Sequence, residues 1–172
     1  MKDWLISTLF LLINYNTNCQ SWQNRWFTME IPDNWRKPSI NYNNYPPLKY
    51  NSTVLHYKDV RFAPSSGEDS GNLMVETFVN DNDKKLIYKD FIRKDSITLK
   101  EDVINLNNMN CLKRQAVLKT FDKDKILNYY CTIWYVQGKK RVYIITFGSY
   151  NKINYENNLP VVEKFITSFK EK

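Results

Sequence analysis

One histidine, three cysteines and four glycines stand in a chain of 172 residues, and each scarcity removes a chemistry. Nucleophilic hydrolysis needs a base beside the nucleophile, usually His or Lys. The single histidine, His56, lies inside a strand pattern, with Asp59 three residues on and no Gly-x-Ser-x-Gly turn nearby. His56 and Asp59 are thus the one acid–base pair that an envelope enzyme could nominate, and the chain reads as non-enzymatic. Zinc needs at least three His or Cys ligands grouped in space, and Cys111, Cys131 and a distant histidine do not suggest them. The stretches "DND" at 81–83 and "DKD" at 122–124 open like calcium loops. Lys85 and Ile126 then stand where oxygen ligands should continue, and the central glycine is missing. Neither a metal site nor a cofactor is expected, and a metal-binding accessory protein remains an alternative only if the fold builds an acid-lined pocket. Scarce glycine also leaves left-handed turn positions to asparagine, which is abundant here.

No apolar run approaches the roughly twenty residues of a transmembrane helix. The longest, Trp4 to Ile13, follows Lys2 and precedes a polar stretch ending at Cys19, the pattern of a signal peptide over residues 1–19. Thr17 and Cys19 are small enough for the positions before a cleavage site, which makes Gln20 the mature start and 20–172 a single domain. Cys19 is alternatively a lipidation site, although Asn16 stands where a bacterial lipobox has Leu. Export to the periplasm or outside the cell is expected, with membrane attachment only if Cys19 is lipidated.

An exported compartment permits disulfides, but pairing of residues 111–131 about Lys123–Asp124 sets Cys131 opposite Ala116 rather than Cys111. A bond needs Cα atoms within about 7 Å, so that register argues against one. The net charge of +7 is spread along the chain, densest at Lys84–Lys85 and Lys139–Arg141. Such a surface attracts acidic lipid, polyanionic glycan or nucleic acid, and export makes nucleic acid the partner not expected.

What is abundant is aromatic: 12 Tyr and 5 Trp, side chains that suit half-buried sheet faces. Residues 25–35, "RWFTMEIPDNW", alternate with Phe27, Met29 and Ile31 on one side. Residues 52–64 read as a strand interrupted near Lys58–Asp59, and 72–80 as another. Leu86, Ile87 and Phe91 recur at helical spacing, which predicts a helix over 83–95 capped by Asn82 or Asp83. "DVINLN" is a short strand, and three long strands in a meander follow, joined by "DKDK" and "QGKK". The last helix has Pro160 in its first turn and a buried stripe of Val162, Phe165, Ile166 and Phe169. Trp22 and Trp35, with Tyr42, Tyr45 and Tyr50, precede or belong to a Pro-rich loop, where rings could stack on sugars or fill a partner's pocket, or else close one end of the sheet.

The "FTMEIPDNW" start, the antiparallel meander, and "YIITFGSY" leading into "VVEKFITSFK" resemble the PsbP-like family. Its best-known members are extrinsic lumenal subunits of photosystem II, with bacterial lipoproteins and a Ran-binding nuclear transport factor among its relatives. The resemblance covers most of residues 25–170 and implies an α+β fold, a central antiparallel sheet of about six strands flanked by helices as an α/β/α sandwich. It implies a domain that binds a protein partner or envelope component. It brings no catalytic motif, and neither manganese handling nor Ran binding transfers.

Overall fold

Alternating apolar side chains put most of this chain into strands, and asparagine makes a two-residue turn. The computed structural model describes residues 19–36, 47–64, 71–80, 82, 84–94, 96–122 and 125–172. The residues before Cys19, read above as a signal peptide, and the loop aromatics Tyr42 and Tyr45 lie outside them. Strand β1 (Cys19–Gln23) pairs antiparallel with β2 (Phe27–Pro32), whose Phe27, Met29 and Ile31 are buried as their alternation predicts.

The large sheet contains β3 (Trp35–Arg36), β4 (Leu48–Lys49), β5 (Val54–Pro64), β6 (Asn72–Asn80), β7 (Ser96–Leu106), β8 (Met109–Asp122), β9 (Lys125–Gln137) and β10 (Arg141–Ser149). Its order is β3-β5-β6-β10-β9-β8-β7, every pairing is antiparallel, and β4 joins β5. One α-helix, α1 (Lys152–Ile166), and a two-residue strand, β11 (Lys170–Glu171), complete the fold; β11 pairs with β2. The interruption expected in β5 is a bulge between Lys58 and Val60.

The sandwich flanked by helices is therefore a correction. Eight strands replace about six, and α1 is the one α-helix among the described residues, covering one face only. The helix expected over 83–95 shrinks to a 3-10 turn at Tyr88–Phe91. Leu86 and Phe91 are buried as that spacing suggests, but Ile87 points outward at 52% exposure. Side chains of the sheet hold the segment extended instead: Gln137 accepts from the Tyr88 N–H at 3.0 Å and donates to the Leu86 carbonyl at 2.8 Å. The Arg93 N–H donates to the Tyr135 hydroxyl at 3.2 Å. Tertiary hydrogen bonds override a helical pattern only two turns long, which is marginal by itself.

"DVINLN" belongs to an eleven-residue strand, β7, joined to β8 by Asn107 and Asn108 at φ 49° and 66°. These are the left-handed positions that a glycine-poor chain hands to asparagine. The helix α1 starts eight residues before Pro160, capped by Asn151, whose side chain accepts from the Asn154 N–H at 3.1 Å. Pro160 is thus in its interior, on the exposed side, not in its first turn.

Two apolar clusters lie on opposite faces of the large sheet. Beneath α1, Val162 and Ile166 pack with Phe169, Phe27, Trp134, Tyr143, Ile145 and Phe147. Phe165 is buried too, and Phe169 is buried just beyond the helix end. On the other face Leu86 and Phe91 of the 84–94 segment pack with Phe78, Leu112, Tyr135 and Val142. The register sets Cys131 opposite Ala116 and Cys111 opposite Val136. Cys111 joins the α1-side cluster and Cys131 the opposite one, so no disulfide links them.

Candidate functional site

Antiparallel register gives the molecule two poles. At one lie the Asn107–Asn108 turn, the Gly138–Lys140 turn between β9 and β10, and β11. Five side-chain contacts bind these together. Asn107 donates from its side-chain amide to the carbonyls of Thr167 and Phe169, both at 2.7 Å, fixing the β7–β8 turn to the segment after α1. The Glu171 carboxylate accepts from the Lys139 N–H at 2.8 Å and lies 3.3 Å from the Arg141 guanidinium. The Tyr143 hydroxyl donates to it at 3.2 Å. Burial, then the Glu171 charge, pushes the Tyr143 hydroxyl well above the ordinary tyrosine range, so it remains a donor.

Between these elements lies a cleft of about 670 Å³. Lys85, Lys139, Lys170 and Lys172 line it against one side-chain carboxylate, Glu171, which Arg141 already neutralises. Lys172 reaches the Gln23 and Asn24 oxygens at 2.9 and 2.8 Å. Lys85, Lys139 and Lys170 are exposed and have no ion pair among the described residues. Asn108 and Asn110 add amides to the wall. The two densest lysine points of the sequence, fifty-odd residues apart, thus meet with the last strand around one opening. The dense points were visible in the sequence; their convergence needed the strand register.

The second concavity, about 310 Å³, lies on the sheet face away from α1 where the 84–94 segment leaves it bare. Met74, Ile133 and Ile144 floor it, with Glu76, Arg61 and Tyr129 among its rim. Tyr129 rests on Gly148, where a Cβ would stand 2.6 Å from its ring, and burial pushes its hydroxyl up to about 12.

His56 is stacked on Phe78, ring centroids 4.4 Å apart, and its Nε2 lies 2.8 Å from Glu76 Oε1. Its carboxylate partner is thus Glu76 across the strand pair; the Asp59 side chain lies outside the described residues. No three His, Cys, Asp or Glu side chains among the described residues group to hold a metal ion. Of the aromatics singled out in the sequence, Trp22, Trp35 and Tyr50 lie among the described residues. Trp22 packs on Phe27 and Phe62 with centroids 5.2 and 5.5 Å away, and Trp35, 4% exposed, lies against Phe147. Tyr50 is half-exposed at the edge of Phe78 and Phe91. Cys19 is exposed at the start of β1.

No protein-family pattern matches the chain, and no curated protein sequence does. Solved structures do. Cyanobacterial PsbP (CyanoP) from Synechocystis sp. PCC 6803 superposes with a TM-score of 0.57 at 11% identity, over 91% of this chain and 94% of that one. The Ran-binding protein Mog1p of Saccharomyces cerevisiae gives a TM-score of 0.49 at 9% identity, over 90% and 95%. At such identities the shared property is the path of the chain. The element order read from the sequence and the superposition on PsbP agree: this chain has the PsbP-like fold.

Proposed function

We propose that the protein is an exported, non-enzymatic binding domain that takes a polyanionic glycan of the cell envelope in the lysine-ringed cleft. The observation that carries this reading is the meeting of Lys85, Lys139, Lys170 and Lys172 around one opening whose single side-chain carboxylate is already paired. Like charges held together without counter-charges are disfavoured in the free protein and are relieved by an anion. The asparagine amides of the wall suit sugar hydroxyls, with both donor and acceptor in reach. Aromatic side chains, on which nucleic-acid bases would stack, are absent from the lining.

The test is a binding titration with polygalacturonate at two salt concentrations. A variant carrying Lys85→Ala, Lys139→Ala and Lys170→Ala loses affinity by about tenfold or more, roughly 1.4 kcal/mol, and shows a shallower salt dependence. Lys49→Ala, Lys89→Ala and Lys164→Ala together remove the same charge from exposed positions elsewhere. Equal losses in the two variants would mean a diffuse basic surface rather than a site.

A further inference from the structure

One border of the large sheet is β7, which pairs with β8 and with no other strand among the described residues. Antiparallel pairing with one neighbour engages alternate residues of a strand, so along its eleven residues the remaining main-chain N–H and C=O groups point away from the sheet. Edges of this kind are commonly guarded by charge or by a bulge that turns a stray strand away. β7 has a bulge between Thr98 and Lys100 and three charged residues, Lys100, Glu101 and Asp102. On either side of these charges it leaves Leu99 and Val103 64% and 74% exposed.

The order Leu99-Lys100-Glu101-Asp102-Val103 complements its own reverse. A two-fold axis normal to the sheet at Glu101 sets Lys100 of each copy opposite Asp102 of the other, and Leu99 of each opposite Val103 of the other. Lys100 and Asp102 already lie on one side of the strand with their charged atoms 3.0 Å apart, so the same two groups can pair across strands. The Glu101 carboxylates meet at the axis, but each is held by its own Arg114, 2.7 Å from Nε and 2.6 Å from Nη2. On the neighbouring strand Lys113, opposite Asp102, is paired with Glu163. These rows therefore balance three cations against three carboxylates, and the chain's net charge of +7 does not oppose contact here. Moving the axis by one residue would set Lys100 against Lys100, or Asp102 against Asp102, and like charges directly opposite are destabilising. We infer that β7 is the contact of a homodimer, in which two copies join their large sheets edge to edge through antiparallel β7 strands centred on Glu101. Such a contact is isologous and closes on itself. It requires nothing of the ligand in the cleft, so either reading can fail alone.

The test uses the full chain with Cys19→Ser, followed by sedimentation equilibrium. A dimer is expected. Lys100→Asp weakens it about tenfold, and Lys100→Asp combined with Asp102→Lys restores it, because the exchange keeps opposite charges facing each other. In the same background Glu101→Cys forms a disulfide with its own copy under mild oxidation, since directly opposite residues have Cα atoms about 4.5–5.5 Å apart. Val103→Cys lies about 13 Å along the strands from its copy and does not. A chain that stays monomeric, a dimer unchanged by Lys100→Asp, a double variant no better than the single one, or equal self-cross-linking at 103 would each overturn the edge contact.

Discussion

The carboxylate of Glu171 accepts a hydrogen bond from the main-chain N–H of Lys139 at 2.8 Å, and only the missing side chain of Gly138 lets it come so close. A Cβ on Gly138 would stand 2.5 Å from the Glu171 Oε1 atom. Gly138→Ala therefore expels the carboxylate from the Lys139 N–H and leaves the Tyr143 hydroxyl the Trp26 carbonyl, 3.2 Å away, as its acceptor, a loss of about 0.5–1.5 kcal/mol. Denaturant melts check this, and an unchanged midpoint would show that the β9–β10 turn does not depend on the contact.

The two inner cysteines are predicted to be inert. Burial pushes the Cys111 thiol up to about 12 and the Cys131 thiol up to about 11, and the thiolate is the reactive form. Alkylation of the unlipidated full chain at pH 8 therefore modifies Cys19 within minutes, while the other two react only with denaturant. Fast modification of three thiols in the native protein would contradict the burial described.

Stability is predicted to fall in alkali. The ordinary thiol value is 9.0 and the ordinary phenol value 10.0, against about 12 for Cys111 and about 12 for Tyr129 in the folded protein. Below pH 9 these groups are protonated in both states and contribute no slope. Above about pH 9 for the thiol and about pH 10 for the phenol, the unfolded chain releases its proton first, so folding loses about 1.4 kcal/mol per pH unit for each group until its folded value is reached. Urea melts from pH 8 to 11 read the slope, and Cys111→Ala should make it shallower.

Much of the fold could be read from alternation, and the failures have particular causes. Phe27, Met29 and Ile31 follow period two, the β5 bulge coincides with the polar break at Lys58–Asp59, and the β8–β9 register follows from symmetry about residues 123 and 124. The 84–94 segment misled because Leu86 and Phe91 plug an apolar sheet face from an extended path. Gln137, about fifty residues away, makes the bonds that a helix would have made internally. Pro160 misled because a proline on the solvent side of a packed helix is tolerated when the stripe of Val162, Phe165 and Ile166 is buried. The lysine points at 84–85 and 139–141 were evident, but no local pattern says that they share a cleft with Lys170.

The last helix is predicted to close the α1-side core. Phe165 is 2% exposed, so Phe165→Ala costs about 3–5 kcal/mol. Lys170 is exposed, and Lys170→Ala changes stability by under about 0.5 kcal/mol. Paired denaturant melts decide this, and small equal losses would make α1 a peripheral tail.

The binding cleft itself is most directly tested by following backbone amide signals while polygalacturonate is added to the isotope-labelled protein. The account predicts shifts concentrated at Asn107–Asn110, Gly138–Arg141 and Lys170–Lys172, saturating together and absent when Lys85, Lys139 and Lys170 are all alanine. Shifts spread evenly over exposed lysines, or centred on Met74, Tyr129 and Ile144 in the opposite concavity, would contradict it.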